Sequence, residues 1–322
     1  MTQPIKKILC FARPQVDTLV AIFLLRHYAA KVFAGADLAE LEFCMALPEG
    51  HTHQSLFEQG IVSLDLGGGP FDHHAAPGKT VSQLMAETLG VHQYKPLEKL
   101  LTWAKRDDLQ GKGTVSTDPL DRAFGLSGVI TVLARQHQHQ PQRVVELVLP
   151  LFQAHVTEET MRHEVLPNEW KRLKQTGQGG EFISSGKQGN FRVAWVVSDN
   201  LQLPGFLRAY FQIDAVIQRL PSNHTNIITR QSRQLGLEDI AAMLRAGELK
   251  SQGKSVSGGN WKDLQVSGRY QLVPEWFYDT AANTLQNGGV QPNGVTATRL
   301  SLDSIKEIVD AGLQHTILAT YL

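Results

Sequence analysis

Cysteine is nearly absent from this chain, with only Cys10 and Cys44 among 322 residues. Two thiols set in apolar runs make no disulfide framework, which excludes a small stapled scaffold and points to a reducing compartment. Net charge is absent as well, since 31 Lys and Arg balance 31 Asp and Glu. A protein that wraps long nucleic acid needs a basic surface to displace counterions from phosphates, so that partner is disfavoured. Long apolar runs are missing too, and nothing approaches the ~20 residues needed to span a bilayer. The opening "MTQPIKKILCFARPQVD" has too short an apolar core for a secretory signal and meets Pro14 at once. No repeat or low-complexity tract breaks the chain. A cytoplasmic protein with no membrane partner is expected.

What remains is an ordinary globular composition, 42% hydrophobic and 19% charged, on a chain long enough for two domains. The first third alternates strand-like and helix-like runs: "KKILCFA", "VDTLVAIFLLRHYAAKVF", "LEFCMAL", "QSLFEQG", "IVSLDLG", "TVSQLMAETLG" and "PLEKLLTWAKRDD". That alternation predicts a parallel sheet with crossover helices. Residues 120–174 read as helical, with breaks at Pro141 and Pro150. The glycine-rich "KQTGQGG" at 174–180 is the expected linker between domains spanning 1–175 and 181–322. Beyond it, "FRVAWVVSD", "DAVIQRL" and "TNIITRQS" read as strands among helices. The expected class is α/β, a parallel-sheet N-terminal domain followed by a smaller mixed α/β domain.

The chemistry concentrates in "VSLDLGGGPFDHHAAPG", residues 62–78. Ligands of open parallel sheets collect at the carboxyl ends of strands. Asp65 stands there, and Asp17 follows the loop after the first strand. An ion needs donors converging from separate elements. Asp17, Asp65, His73 and either Asp107 or Asp108 are therefore the candidate ligands. Asp72 and His74 flank His73, one placed to orient a ring and the other to meet substrate. "QGKGT" at 110–114 lacks the glycine and hydroxyl spacing of a phosphate loop and is rejected. "HTHQ" reads as a solvated helix start, and "RQHQHQPQ" as a polar loop. Trp276 and Phe277, in "VPEWFYD", read as packing residues.

"FDHH" preceded by "DLGG" resembles motifs of the DHH phosphoesterase superfamily, in the form similar to its melanocyte-proliferating-gene-like nuclease branch. That superfamily includes RecJ-type exonucleases, manganese-dependent pyrophosphatases, exopolyphosphatases and phosphodiesterases of cyclic or short nucleotides. "VDTLVAIFLL" and "WAKRDDLQGKG" occupy the places of its first and fourth motifs. "NIITRQS", "LEDIAAMLR" and "SVSGGNW" resemble its associated substrate domain. The first motif departs from the family form, with Phe11 or Cys10 at the histidine position and Gln15 at the first acidic position. Asn260 replaces a histidine after the C-terminal glycines. The resemblance thus implies one Mn²⁺ or Mg²⁺ ion, not two, on Asp17, Asp65, His73 and Asp107 or Asp108. It implies catalytic work for His74 beside Asp72, and a phosphate cradle of Arg230, Arg233, Ser257, Gly258, Gly259 and Asn260.

The expected function is metal-dependent hydrolysis of a small phosphoanhydride or phosphodiester in a cleft between the domains. Pyrophosphate, polyphosphate and short or cyclic nucleotides are the expected ligands, and a homodimer is compatible with this reading. The alternative is a catalytically weakened relative that binds a phosphorylated ligand without cleaving it. A single ion stabilises less charge than the two-ion clamp of many phosphoryl-transfer enzymes.

Overall fold

A computed structural model of the protein describes residues 3–75, 78–111, 116–186, 189–254, 261–289 and 293–321. The chain divides into two compact units, Met1–His163 and Glu164–Leu322. The second unit is nearly as long as the first, where a smaller one was expected.

Unit 1 opens with β1 (Lys7–Phe11), α1 (Val16–Tyr28), β2 (Glu40–Cys44), α2 (His53–Glu58) and β3 (Ile61–Leu64). The three strands form a parallel sheet in the order β2-β1-β3, with Cys10 of β1 opposite Phe43 and Leu64. The helices α3 (Val81–Thr88), α4 (Glu98–Gln110), α5 (Pro119–Phe124), α6 (Leu126–Gln136) and α7 (Pro141–Thr160) follow. The run "VDTLVAIFLL" is apolar on every side of a helix, and a helix of that kind must be enclosed. It is: Val16 to Leu25 are all buried in α1, which packs against α3, α4 and α7. At ~1.5–3 kcal/mol for each large apolar side chain buried, this helix anchors the unit's core. Its first turn therefore sits rigidly at the sheet's carboxyl edge.

Pro141 begins α7, but Pro150 lies inside it and does not end it. Proline costs one backbone hydrogen bond, and here it stands on the solvent face, where water can meet the freed carbonyl. The unit boundary falls in a π-helical stretch, Met161–Val165.

Unit 2 contains α8 (Leu166–Gln175), β4 (Gly179–Gly186), β5 (Gly189–Val197), α9 (Leu203–Tyr210), β6 (Ala215–Arg219), β7 (Thr225–Thr229), α10 (Glu238–Ser251), β8 (Gly268–Tyr270), β9 (Val273–Asp279), β10 (Thr284–Gln286) and α11 (Leu302–Leu313). The expected linker at 174–180 is the end of α8, a turn and the start of β4. Seven strands form one mixed sheet, β4-β5-β6-β7-β10-β9-β8, in which only β5 and β6 pair in parallel, through the α9 crossover. α10 and α11 pack closely: a Cβ at Gly312 would lie 2.3 Å from Ile240, so glycine is required there. Among the described residues, no helix is long and apolar enough to cross a membrane.

Candidate metal centre

The site is built where β3 ends. Asp65 follows Leu64 with φ of 56°, a left-handed conformation that aspartate tolerates better than most residues. Gly67 and Gly68 continue at positive φ, and the loop folds back so that Asp65 N–H donates to the Phe71 carbonyl at 2.9 Å. This reversal brings "FDHH" over the end of β3. His73–Ala75 then form a short 3₁₀ turn.

Three further segments converge on His73. Its Nδ1 lies 3.6 Å from Asp65 Oδ1 and 3.8 Å from Asp17 Oδ2, and its Nε2 lies 3.8 Å from Asp108 Oδ2. These separations are too long for hydrogen bonds. Asp17 Oδ1, Asp65 Oδ1, His73 Nδ1 and Asp108 Oδ2 are all buried without a hydrogen-bond partner. Burying polar atoms unpaired is costly, and several gathered in one place call for a common partner. The donor set is carboxylate-rich with an imidazole, which suits a hard divalent cation such as Mg²⁺ or Mn²⁺. The residues present fit such an ion.

Electrostatics point the same way. Burial, with Asp108 and Asp65 close by, pushes the Asp17 carboxyl up to about 6. Burial also raises Asp65, opposed by the hydrogen bond from Thr18. Three carboxylates crowd around one imidazole, and a bound cation would relieve their mutual repulsion.

The candidate ligands are oriented by neighbours that carry no motif of their own. Thr18 Oγ1 donates to Asp65 Oδ2 at 3.1 Å, and Val81 N–H, at the start of α3, donates to Asp17 Oδ2 at 3.1 Å. Asp17 is thus no cap of its own helix, which begins after Gln15. His53, expected as a solvated helix start, instead bonds Ser63 Oγ through Nδ1 at 2.7 Å. It packs beneath the glycine run so closely that a Cβ at Gly69 would lie 2.4 Å from its ring. Only the third glycine of the run hints at this close approach.

His74 and Asp72 behave differently from His73. Asp72 Oδ2 accepts from Gly68 N–H at 2.7 Å, and its Oδ1 accepts from His74 N–H at 3.0 Å and meets His74 Nδ1 at 2.7 Å. Burial alone would raise Asp72, but these donors outweigh it and hold the carboxyl below its ordinary range. The same hydrogen bond raises the His74 imidazole, which is 75% exposed and stacks on His73 at 4.4 Å. The result is a fixed ring, charged more readily than usual, beside the acid cluster.

Asp107 and Asp108 are neighbours on α4 and therefore point about 100° apart around the helix. Asp108 joins the cluster, while Asp107 lines a separate cavity. Arg233 Nε pairs with Asp214 at 3.0 Å and its guanidinium lies over Phe191, so its charge is already engaged. Arg230 is half-buried after β7. Ser257, Gly258, Gly259 and Asn260 lie outside the described residues, as do residues 112–114 of "QGKGT".

No protein-family model matches the chain, and no curated protein matches it.

Proposed function

We propose that this protein is a divalent-metal-dependent phosphoesterase of the DHH type, working in the cytoplasm on small phosphoanhydrides or phosphodiesters. Asp17, Asp65, His73 and Asp108 would hold one Mn²⁺ or Mg²⁺ ion. The observation that carries the reading is the convergence of unpartnered carboxylate and imidazole atoms from four separate segments beside an anchored, exposed His74. When bound, the ion would polarise a phosphoryl oxygen and offset negative charge developing on phosphorus.

The chain's own residues supply the rest. Thr18 and the Val81 amide fix Asp65 and Asp17, so the acceptors are held before any ligand arrives. His74 Nδ1–H donates to Asp72, and in the imidazolium form the ring keeps its Nε2 proton for an incoming ligand. A proton at that atom can hydrogen-bond a phosphoryl oxygen or pass to the leaving oxygen.

Release of phosphate or nucleotide from pyrophosphate, polyphosphate, dinucleotides and cyclic nucleotides, measured with Mn²⁺, Mg²⁺ or Co²⁺, tests this. Turnover should require the ion and collapse in His74→Ala. Ligand binding without turnover across the panel would favour the non-hydrolysing alternative, for which the apolar Phe11 and neutral Gln15 speak.

A further inference from the structure

The structure assigns a second, organic binding site to unit 1, in the cavity of about 430 Å³ lined by the 11–16 loop, α6 and Asp107. We infer that it takes a flat heterocycle bearing an amino group, with Asp107 as acceptor of the amino N–H. The inference deepens the proposed function by naming the non-phosphate part of the ligand. It rests on that reading only for the claim that one molecule fills both places.

The volume falls within the range of small-molecule sites, and is far larger than a water or a lone ammonium needs. Phe11, Pro14, Ile130 and Val144 give it apolar walls. Such walls favour a ring over a hydrated aliphatic cation, whose desolvation they would not offset. Asp107 also lines it, 4% exposed, with a buried Oδ1 that has no hydrogen-bond partner. An ionised carboxylate can only accept, so the missing partner is an N–H or O–H donor. Arg13 and Arg135 also line the cavity and are solvent-exposed.

The cavity and the acid cluster draw on adjacent residues of the same two helices. Asp107 precedes Asp108 on α4, and Val16, which lines the cavity, precedes Asp17. A ligand with its ring in the cavity would extend its phosphoryl group toward the acid cluster.

The test uses the full chain in chelator, so that it is independent of the metal, with calorimetric titration of base pairs differing only in the amino group: adenine against purine, and cytosine against 2-pyrimidinone. At least one amino-bearing base should bind at least tenfold more tightly than its partner lacking the group. Asp107→Leu, nearly isosteric and checked for folding by its thermal transition, should erase that preference; Asp107→Asn, which keeps an acceptor oxygen, should retain part of it. No binding by any base, equal binding within both pairs, or a preference that survives Asp107→Leu would overturn the inference. Such a failure would leave metal-dependent turnover untouched. Conversely, amino-selective binding in a protein without phosphoesterase activity would uphold the cavity and remove the proposed function.

Discussion

Two sets of buried carboxylates, Glu248 in unit 2 and the Asp17, Asp65 and Asp108 cluster in unit 1, are treated in opposite ways. In unit 2, Glu248 is almost fully buried, yet its Oε1 accepts from Trp276 Nε1 and Thr298 Oγ1, and the Arg299 amide donates to the carboxylate. Nearby, Arg245 gives its two terminal nitrogens to the carbonyls of Leu264, Val266, Gly268 and Trp276. In unit 1, Asp17, Asp65 and Asp108 each keep a buried oxygen with no partner. A buried charge that serves the fold is saturated by the fold. One left unsaturated among others of its sign is a candidate for binding something the chain does not supply.

The sharpest way to break this contrast is to neutralise one carboxylate of each kind. Asp65→Asn keeps a residue that tolerates the left-handed backbone but removes charge from the cluster. Metal-dependent turnover should fall by more than the ~10–100-fold that losing a hydrogen bond to a metal ligand costs. Its thermal stability in chelator should hold or rise. Glu248→Gln should do the reverse, losing ~1–3 kcal/mol of stability while metal binding is unchanged. If both variants behaved alike, the two carboxylates would differ only in address.

A second contrast separates the histidines. His74→Ala should reduce kcat by roughly 10²–10⁴-fold, the range for a general acid, while leaving metal-induced thermal stabilisation intact. Asp72→Asn should act in the same direction and more weakly, because it loosens the ring without removing it. His73→Ala should abolish the stabilisation itself. Differential scanning fluorimetry alongside steady-state kinetics distinguishes the outcomes.

The smallest effect concerns pH. Burial and the neighbouring carboxylates push the Asp17 carboxyl up to about 6 in the folded chain, from its ordinary lower value when unfolded. The folded state thus binds its proton more tightly, so its contribution is fully present below the ordinary carboxylate range and is lost as pH rises through about 6. In chelator, stability should fall by on the order of 2–3 kcal/mol across that window. Asp17→Asn should flatten the profile. With Mn²⁺ present the trend should reverse, because the ion competes with the proton and binds better as pH rises. Urea titrations at a series of pH values measure it.

Much of unit 1 was legible because its signals are local. "KKILCFA" became β1 to within one residue at each end, and "IVSLDLG" became β3 with its last three residues in the loop that follows. The grouping of Asp17, Asp65 and His73 followed from strand ends alone. The choice between Asp107 and Asp108 did not, since it depends on the rotation of α4 about its axis. Nor could the Val81 amide that fixes Asp17 be read, because the pair is 64 residues apart and neither is unusual in its own segment. Unit 2 was less legible. β4 carries the glycines that read as a linker, and β8 and β10 are three-residue strands whose existence depends on β9 between them. Short strands owe their form to neighbours, and a linear pattern carries little of that.

The central claim is that one divalent cation belongs among Asp17, Asp65, His73 and Asp108. Anomalous diffraction from crystals of the full chain soaked in Mn²⁺ tests it most directly. One peak bounded by those four side chains is expected, absent from Asp65→Asn crystals. No peak there at saturating Mn²⁺, or a peak ligated by other residues, would contradict it.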